Sequence, residues 1–69
     1  MTDIDKNLIA MRIAYHTDNQ TALGDALRML VRRGCSINEL YANCSTLEMR
    51  RAVRAELRAL GLKPVKVGL

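Results

Sequence analysis

Residues 45–61 read STLEMRRAVRAELRALG, a stretch with a helix start, a helix stop and apolar residues at helical spacing between them. Ser45 can cap a helix N-terminus, and Glu48 stands three residues later, where its carboxylate can reach back to the capping residue. Gly61 follows the last apolar residue and can adopt the left-handed conformation that commonly ends a helix. The stretch therefore predicts one amphipathic helix over residues 46–60.

The same start and stop signals recur along the rest of the chain. A second glycine stop, Gly34, follows RMLVRR, and Pro64 prevents a helix from resuming after Gly61. Further capping pairs stand at Thr2 with Asp5, Thr17 with Gln20, and Ser36 with Glu39. Four starts predict four helices, at about 3–15, 18–33, 37–43 and 46–60, followed by a short tail, LKPVKVGL. Because the connections are short, we expect one compact all-α domain over residues 1–69.

The composition limits the size of the core. A chain of 69 residues forms one domain, and folding at this size removes only about 60% of the unfolded chain's surface from water. The sequence has no Phe and no Trp, so aliphatic residues, methionines and two tyrosines must supply the buried area. A core this small favours a homodimer, since association stabilises the folded state.

The net charge of +4 is unevenly distributed along the chain. Residues 1–27 carry two cationic side chains and four carboxylates, whereas residues 28–69 carry nine cationic side chains and three carboxylates. A surface of one sign attracts polyanions and speeds their encounter. The C-terminal part is therefore expected to meet DNA or an acidic protein surface.

Several other function classes find no support in the sequence. No segment approaches the roughly 20 apolar residues that span a membrane, and the N-terminus, MTDIDK, is acidic where a signal peptide is basic, so we expect a cytoplasmic protein without membrane contact. His16 is the only histidine, and the sequence shows no nucleophilic residue paired with a general base and no glycine-rich phosphate loop. Cys35 and Cys44 lack zinc-site spacing and are expected to be ordinary buried thiols. We therefore expect no enzymatic activity, cofactor, metal or small-molecule substrate.

Helix 1 is apolar on two sides when projected at 100° per residue. One stripe holds Ile4, Leu8, Met11 and Tyr15, while Ile9 and Ile13 lie nearly opposite. A domain this small can cover only one of the two sides, so we expect a homodimer or partner surface on this helix. The residues assigned to that interface are Ile9, Ile13, Met11 and Tyr15. In the alternative interpretation, the C-terminal tail covers Ile9 and Ile13.

Helix 4 separates an apolar face from a basic one. The packing face is expected to hold Met49, Val53, Leu57 and Leu60, with Arg51, Arg54 and Arg58 about half a turn away and Arg50 at the boundary. Glu48 is the one carboxylate placed to pair with Arg51. Glu56 projects into the apolar arc, where an unpaired carboxylate is costly. It could pair with Arg12 or Arg28, line the rim of an interface, or extend to solvent.

Residues 36–62, SINELYANCSTLEMRRAVRAELRALGL, resemble the helix-turn-helix core of small phage and bacterial transcription regulators. They are similar in particular to the part of winged-helix repressors in which a Ser-Ile/Val-x-Glu-Leu helix precedes an Arg-Arg recognition helix ending in LRALG, although the turn NCST lacks the family's glycine. The resemblance implies a tri-helical core behind an extra N-terminal helix, with helix 4 in the major groove of DNA. It implies that Lys63 and Lys66 reach the DNA backbone. The helix 4 residues that it implies in contacts with bases or phosphates are Thr46, Glu48, Arg50, Arg51 and Arg54.

Two functions from different classes remain open at this stage. The first is a small helix-turn-helix DNA-binding regulator. The second is a small helical inhibitor or adaptor, of the kind found in phages and mobile elements, that docks on a larger host protein through helix 1 or the arginine face. For either kind of anionic partner the predicted contact residues are Thr46, Arg50, Arg51, Arg54, Arg58, Lys63 and Lys66.

Overall fold

The predicted all-α class is confirmed by a computed structural model, which describes residues 1–66. The last three residues of the predicted tail, 67–69, lie outside the described part. The observed helices begin and end within two residues of the predicted bounds. They are α1 (Asp3–His16), α2 (Gln20–Arg32), α3 (Ile37–Ala42) and α4 (Leu47–Ala59).

Two of the four predicted helix starts are correct. The N–H of Asp5 donates to Thr2 Oγ1 at 3.1 Å while the Asp5 carboxylate accepts from the Thr2 N–H at 3.3 Å, which is a complete capping box. At α3, Ser36 Oγ accepts from the N–H of Glu39 at 3.1 Å. Both starts lie at the predicted residue.

The other two starts are shifted by one or two residues. Asn19 caps α2 in place of Thr17, because α1 continues to His16 and the Thr17 hydroxyl donates to the carbonyl of Ile13 at 2.8 Å. Thr46 caps α4 in place of Ser45, and its Oγ1 accepts from the N–H of Met49 at 3.1 Å. Ser, Thr and Asn are all favourable capping residues, so two that stand close together in the sequence are both plausible helix starts.

Three helices end in the same left-handed motif. After α2 and α4 the residue that takes positive φ is a glycine, Gly34 at 82° and Gly61 at 67°, as predicted. After α1 it is Asp18, at φ 56°. At each end the N–H of the following residue bonds to a carbonyl five residues earlier, as Asn19 does to Ala14 at 2.9 Å. Asp18 therefore holds a conformation that costs a residue with a Cβ atom about 1–2 kcal/mol.

Replacing Asp18 with glycine is expected to raise the free energy of unfolding by about 1 kcal/mol, because the left-handed penalty disappears and only part of the gain is lost to glycine's greater freedom in the unfolded chain. Urea unfolding followed by circular dichroism measures the change. Asp25→Gly is the matched control, since Asp25 is exposed inside α2 and glycine lowers stability there. A shift of both variants in the same direction would contradict this account of Asp18.

The core lies where α1, α2 and α4 meet, with α3 and the helix ends closing it. The packing face predicted for α4 is buried, except that Leu60 is half-buried. In α2, Leu23, Leu27 and Leu30 are buried, and Val31 is half-buried beside them. Gly24 is also buried, and Leu60 of α4 packs beside it on α2. The buried apolar residues are Leu8, Met11, Ala14, Leu23, Ala26, Leu27, Leu30, Cys35, Leu40, Cys44, Met49, Val53 and Leu57.

Both cysteines are buried free thiols, as predicted. Burial raises the pKa of Cys35 to about 11, and the Glu39 carboxylate 3.5 Å from its Sγ contributes to the shift. Burial also raises the pKa of Cys44. Both side chains therefore remain protonated and weakly nucleophilic at neutral pH.

The tail returns to the start of α3. The N–H of Ile37 donates to the carbonyl of Val65 at 2.9 Å, and Ser36 and Val65 form an isolated parallel bridge. Ile13 of α1 remains 58% exposed. Within residues 1–66, the tail therefore packs beside α3, and the alternative that it covers Ile13 is wrong.

Candidate nucleic-acid interface

The arginines of α4 are exposed on one side of the helix, as predicted. Its opposite side holds Met49 and Val53, which are fully buried and fix the rotation of the helix about its axis. This rotation turns the basic side outward. The exposed arginines of α4 are Arg50, Arg51, Arg54 and Arg58.

No carboxylate within residues 1–66 forms an ion pair with these arginines. The ion pairs in that part of the chain join Arg28 to Asp25 at 3.3 Å and Arg33 to Asp3 at 3.2 Å, both outside α4. The pair predicted between Glu48 and Arg51 does not form. The capping box predicted for Ser45 and Glu48 is absent as well. Because Thr46 caps α4, Glu48 stands at the second helical position, one short of the third position that reaches back to the cap. The arginines of α4 therefore retain their donors for a partner.

Arg50 is held against α3. Its guanidinium lies 5.9 Å from the centroid of the Tyr41 ring, within the range of a cation–π contact. Leu47, at the first position of α4, is 61% exposed and lines the same surface cleft as Tyr41, Arg50, Arg51 and Arg54. An aromatic ring and an exposed leucine thus lie within the basic surface.

Sequence reasoning missed Tyr41 and Leu47 as members of this surface. Projection at 100° per residue places Leu47 between Arg54 and Arg58, so that signal was present in the sequence. Tyr41 belongs to the short helix α3 and is half-buried. Its outer side supports Arg50, which no local pattern indicates.

The cations of the tail join those of α4. Lys63 and Lys66 are exposed and line one groove together with Arg54 and Arg58. The structure thus brings together the basic residues that the sequence assigned to an anionic partner. Thr46 lies at the other end of α4, near Arg50, where its hydroxyl oxygen accepts from the Met49 N–H and its hydroxyl proton can still be donated.

The predicted interface on α1 is only partly exposed. Met11 is completely buried, so its assignment to an interface is wrong: it projects to the core side with Leu8. Tyr15 is half-buried and packs edge to face with His16 at 5.3 Å. Ile9 is half-buried and Ile13 is 58% exposed. Of the four residues assigned to this interface, Ile13 is therefore the most exposed, while Ile9 and Tyr15 are partly accessible.

Glu56 is hydrogen-bonded by a glutamine. Gln20 Nε2, at the first position of α2, donates to Glu56 Oε2 at 2.6 Å. The predicted partners, Arg12 and Arg28, are engaged elsewhere: Arg12 with Asn43 Oδ1 at 3.4 Å and Arg28 with Asp25. The N-terminal end of a helix favours a carboxylate, which explains how Glu56 is tolerated at the edge of the apolar arc.

Comparison with protein-family models, curated proteins and solved structures finds no match to this chain. None of the helices within residues 1–66 has the length and apolar content needed to cross a membrane. The same residues contain no cluster of three or more potential metal ligands.

Proposed function

We propose that this protein is a small helix-turn-helix DNA-binding regulator that places α4 in the major groove. The observation that carries the proposal is the exposed arginine side of α4, which forms no ion pair within residues 1–66. Arginine suits this role because its planar fork donates two hydrogen bonds to a phosphate or to the edge of guanine.

The proposal divides the basic residues by position. Arg50 and Arg51 lie in the N-terminal half of α4, the part of a recognition helix that contacts base edges, and Arg54 lies one turn further, just past the middle of the helix. Arg58, Lys63 and Lys66 lie further along and are assigned to phosphates, where cations contribute affinity without sequence readout. Residues 43–46 connect α3 to α4, a length within the usual range for a helix-turn-helix.

Charge distribution supports a single orientation on DNA. Together α1 and α2 carry three carboxylates and four cationic side chains, whereas α4 and the tail to residue 66 carry two carboxylates and six cationic side chains. The α4 and tail side is therefore the more strongly cationic surface, and it attracts the phosphate backbone more strongly than the nearly neutral α1 and α2 side. The electrostatic field of the molecule therefore favours encounters in which a DNA duplex approaches the α4 side.

Ile9 and Ile13 support a homodimer as the DNA-binding form. Helix-turn-helix proteins commonly bind as dimers whose two recognition helices lie about one turn of DNA apart. Burying Ile13 between two copies would remove an apolar side chain from water, worth about 1.5–3 kcal/mol for a fully buried isoleucine.

Ile13→Asp is expected to convert the dimer to a monomer, because a carboxylate buried without a partner is strongly unfavourable. Light scattering coupled to size-exclusion chromatography over a concentration series measures the mass. Thr21→Asp, at an exposed position of α2, is the control and retains the dimer. A wild-type protein that is monomeric throughout the series would contradict the dimer. It would leave Ile9 and Ile13 to the alternative function, docking on a larger host protein.

A titration of labelled duplex DNA, followed by fluorescence anisotropy at low salt, tests the proposed function. Wild-type protein is expected to bind, and the affinity is expected to depend on Arg51 and Arg54. Absence of binding to any duplex at low salt would overturn the proposal.

A further inference from the structure

A groove beside the C-terminal half of α4 has more apolar surface than phosphate contacts require. It measures about 670 Å³ and lies between α3, α4 and the tail. Its floor is apolar, with Leu57 buried and three other side chains half-buried. The floor residues are Ile37, Tyr41, Leu57 and Leu62.

The wall formed by the tail has a defined position. Gly61 takes φ 67°, and the N–H of Leu62 donates to the carbonyl of Leu57 at 2.9 Å, which turns the chain back at the end of α4. The bond from the Ile37 N–H to the Val65 carbonyl then fixes the tail beside α3. Pro64, between these two anchors, has a restricted φ. The groove is therefore bounded by ordered backbone on each side.

The rim of the groove is cationic. Arg54, Arg58, Lys63 and Lys66 line it, and no carboxylate is among the lining residues that the structure describes. A phosphate backbone would satisfy these four cations and leave the apolar floor unused. An amphipathic helix with acidic side chains satisfies both, since its apolar residues fill the floor while its carboxylates meet the guanidinium and ammonium groups.

We propose that this groove binds an acidic amphipathic helix of a partner protein. Apolar side chains at i, i+3 or i+4, and i+7 enter the groove over Ile37, Tyr41 and Leu62, and flanking Glu or Asp residues pair with the rim. Arg54 and Arg58 also face DNA under the function proposed above, and to that extent the inference rests on it. The partner helix competes with DNA for these two arginines and so releases the regulator from its site.

Binding of synthetic helical peptides tests the groove without any DNA. The probe is a fluorescein-labelled peptide of Leu, Glu and Ala with Leu at i, i+3, i+4 and i+7, and the comparison is a scrambled peptide of the same composition. Both peptides carry the same charge, so simple attraction binds them equally. The proposal expects the amphipathic peptide to bind about tenfold more tightly, a difference of about 1.4 kcal/mol. Equal binding of the two peptides, or none, would overturn it.

Variants of the rim locate the binding site. The double variant Lys63→Glu with Lys66→Glu is expected to bind the amphipathic peptide about tenfold or more weakly than wild type. At two rim positions, an attraction between opposite charges becomes a repulsion between like charges. The matched control, Lys6→Glu with Arg32→Glu, makes the same change in net charge on α1 and α2 and leaves the preference for the amphipathic peptide over the scrambled one intact. A peptide with Lys in place of Glu is expected to bind the Lys63→Glu and Lys66→Glu variant more tightly than wild type. Equal weakening by the rim and control variants would overturn the assignment to this groove.

Competition separates the two proposals. The amphipathic peptide is expected to displace bound duplex DNA, and the scrambled peptide to do so about tenfold less effectively, following their affinities. If the protein binds no DNA, the proposed function is wrong, but the peptide titration still tests whether the groove binds an acidic amphipathic helix. If DNA binds and the tightly bound peptide does not displace it, the proposal that the partner helix competes with DNA is wrong.

Discussion

A variant carrying Arg51→Ala and Arg54→Ala is expected to bind duplex DNA at least about 30-fold more weakly than the wild-type protein at low salt. Each arginine contact to a base edge or phosphate contributes about 1–3 kcal/mol, so losing two costs at least about 2 kcal/mol. Both side chains are exposed and make no ion pair within residues 1–66, so their removal leaves the fold intact. Fluorescence anisotropy with labelled duplexes measures the affinity, and circular dichroism confirms the helix content.

The salt dependence of binding gives a second readout from the same titration. The logarithm of the association constant falls linearly with the logarithm of salt concentration, with a slope near −0.9 for each phosphate neutralised. If Arg51 and Arg54 each contact a phosphate, the slope measured for the double variant is less negative than that of wild type by about two. If they contact bases, the affinity for the preferred sequence falls while the slope is nearly unchanged. The measurement therefore distinguishes positioning contacts from sequence readout.

Lys6→Ala with Arg32→Ala is the matched control for this experiment. It removes two exposed cations from α1 and α2 and gives the same net charge as the double arginine variant. We expect this control to weaken DNA binding only slightly, through the loss of long-range attraction. Equal weakening by the two variants would indicate nonspecific attraction to net charge and would contradict an interface on α4.

The helices and their order could be predicted because their signals are local. Capping side chains act within three residues, and the glycines at helix ends act through their own φ, so short segments carry the information. The exact caps were less predictable. Thr17 and Asn19 are both good capping residues, and the choice between them depends on the left-handed turn at Asp18 that ends α1. No pattern in the sequence indicated that an aspartate takes that conformation.

The candidate site was predictable on α4 and much less so elsewhere. Helical projection separates Arg54 from Val53 without knowledge of other elements, because the two lie on one regular helix. The groove depends on pairing between Ser36 and Val65, which are far apart in the sequence. The hydrogen bond between Gln20 and Glu56 also joins residues that are far apart in the sequence. Contacts of this kind follow from how helices pack, which a single sequence does not display.

Leu27→Ala is expected to lower the free energy of unfolding by about 3 kcal/mol. Leu27 is completely buried in α2, and a leucine truncated in a core loses its transfer free energy and leaves a cavity that the surroundings fill only partly. A domain of this length has a total stability of about 3–10 kcal/mol. The single substitution therefore removes between a third and all of the stability. Thermal and urea unfolding followed by circular dichroism measure the loss.

Leu47→Ala is the matched control, with the same substitution at a position that is 61% exposed. It removes little apolar contact, and alanine is at least as favourable as leucine in a helix, so the expected change in stability is within about 0.5 kcal/mol. If Leu27→Ala and Leu47→Ala destabilised the protein equally, the arrangement of α2 against α1 and α4 would be wrong. A large effect of Leu47→Ala alone would place Leu47 in an interface, such as that of a dimer. A large effect of Leu27→Ala alone supports the core described here, in which Leu27 is completely buried by contacts within one copy of the chain.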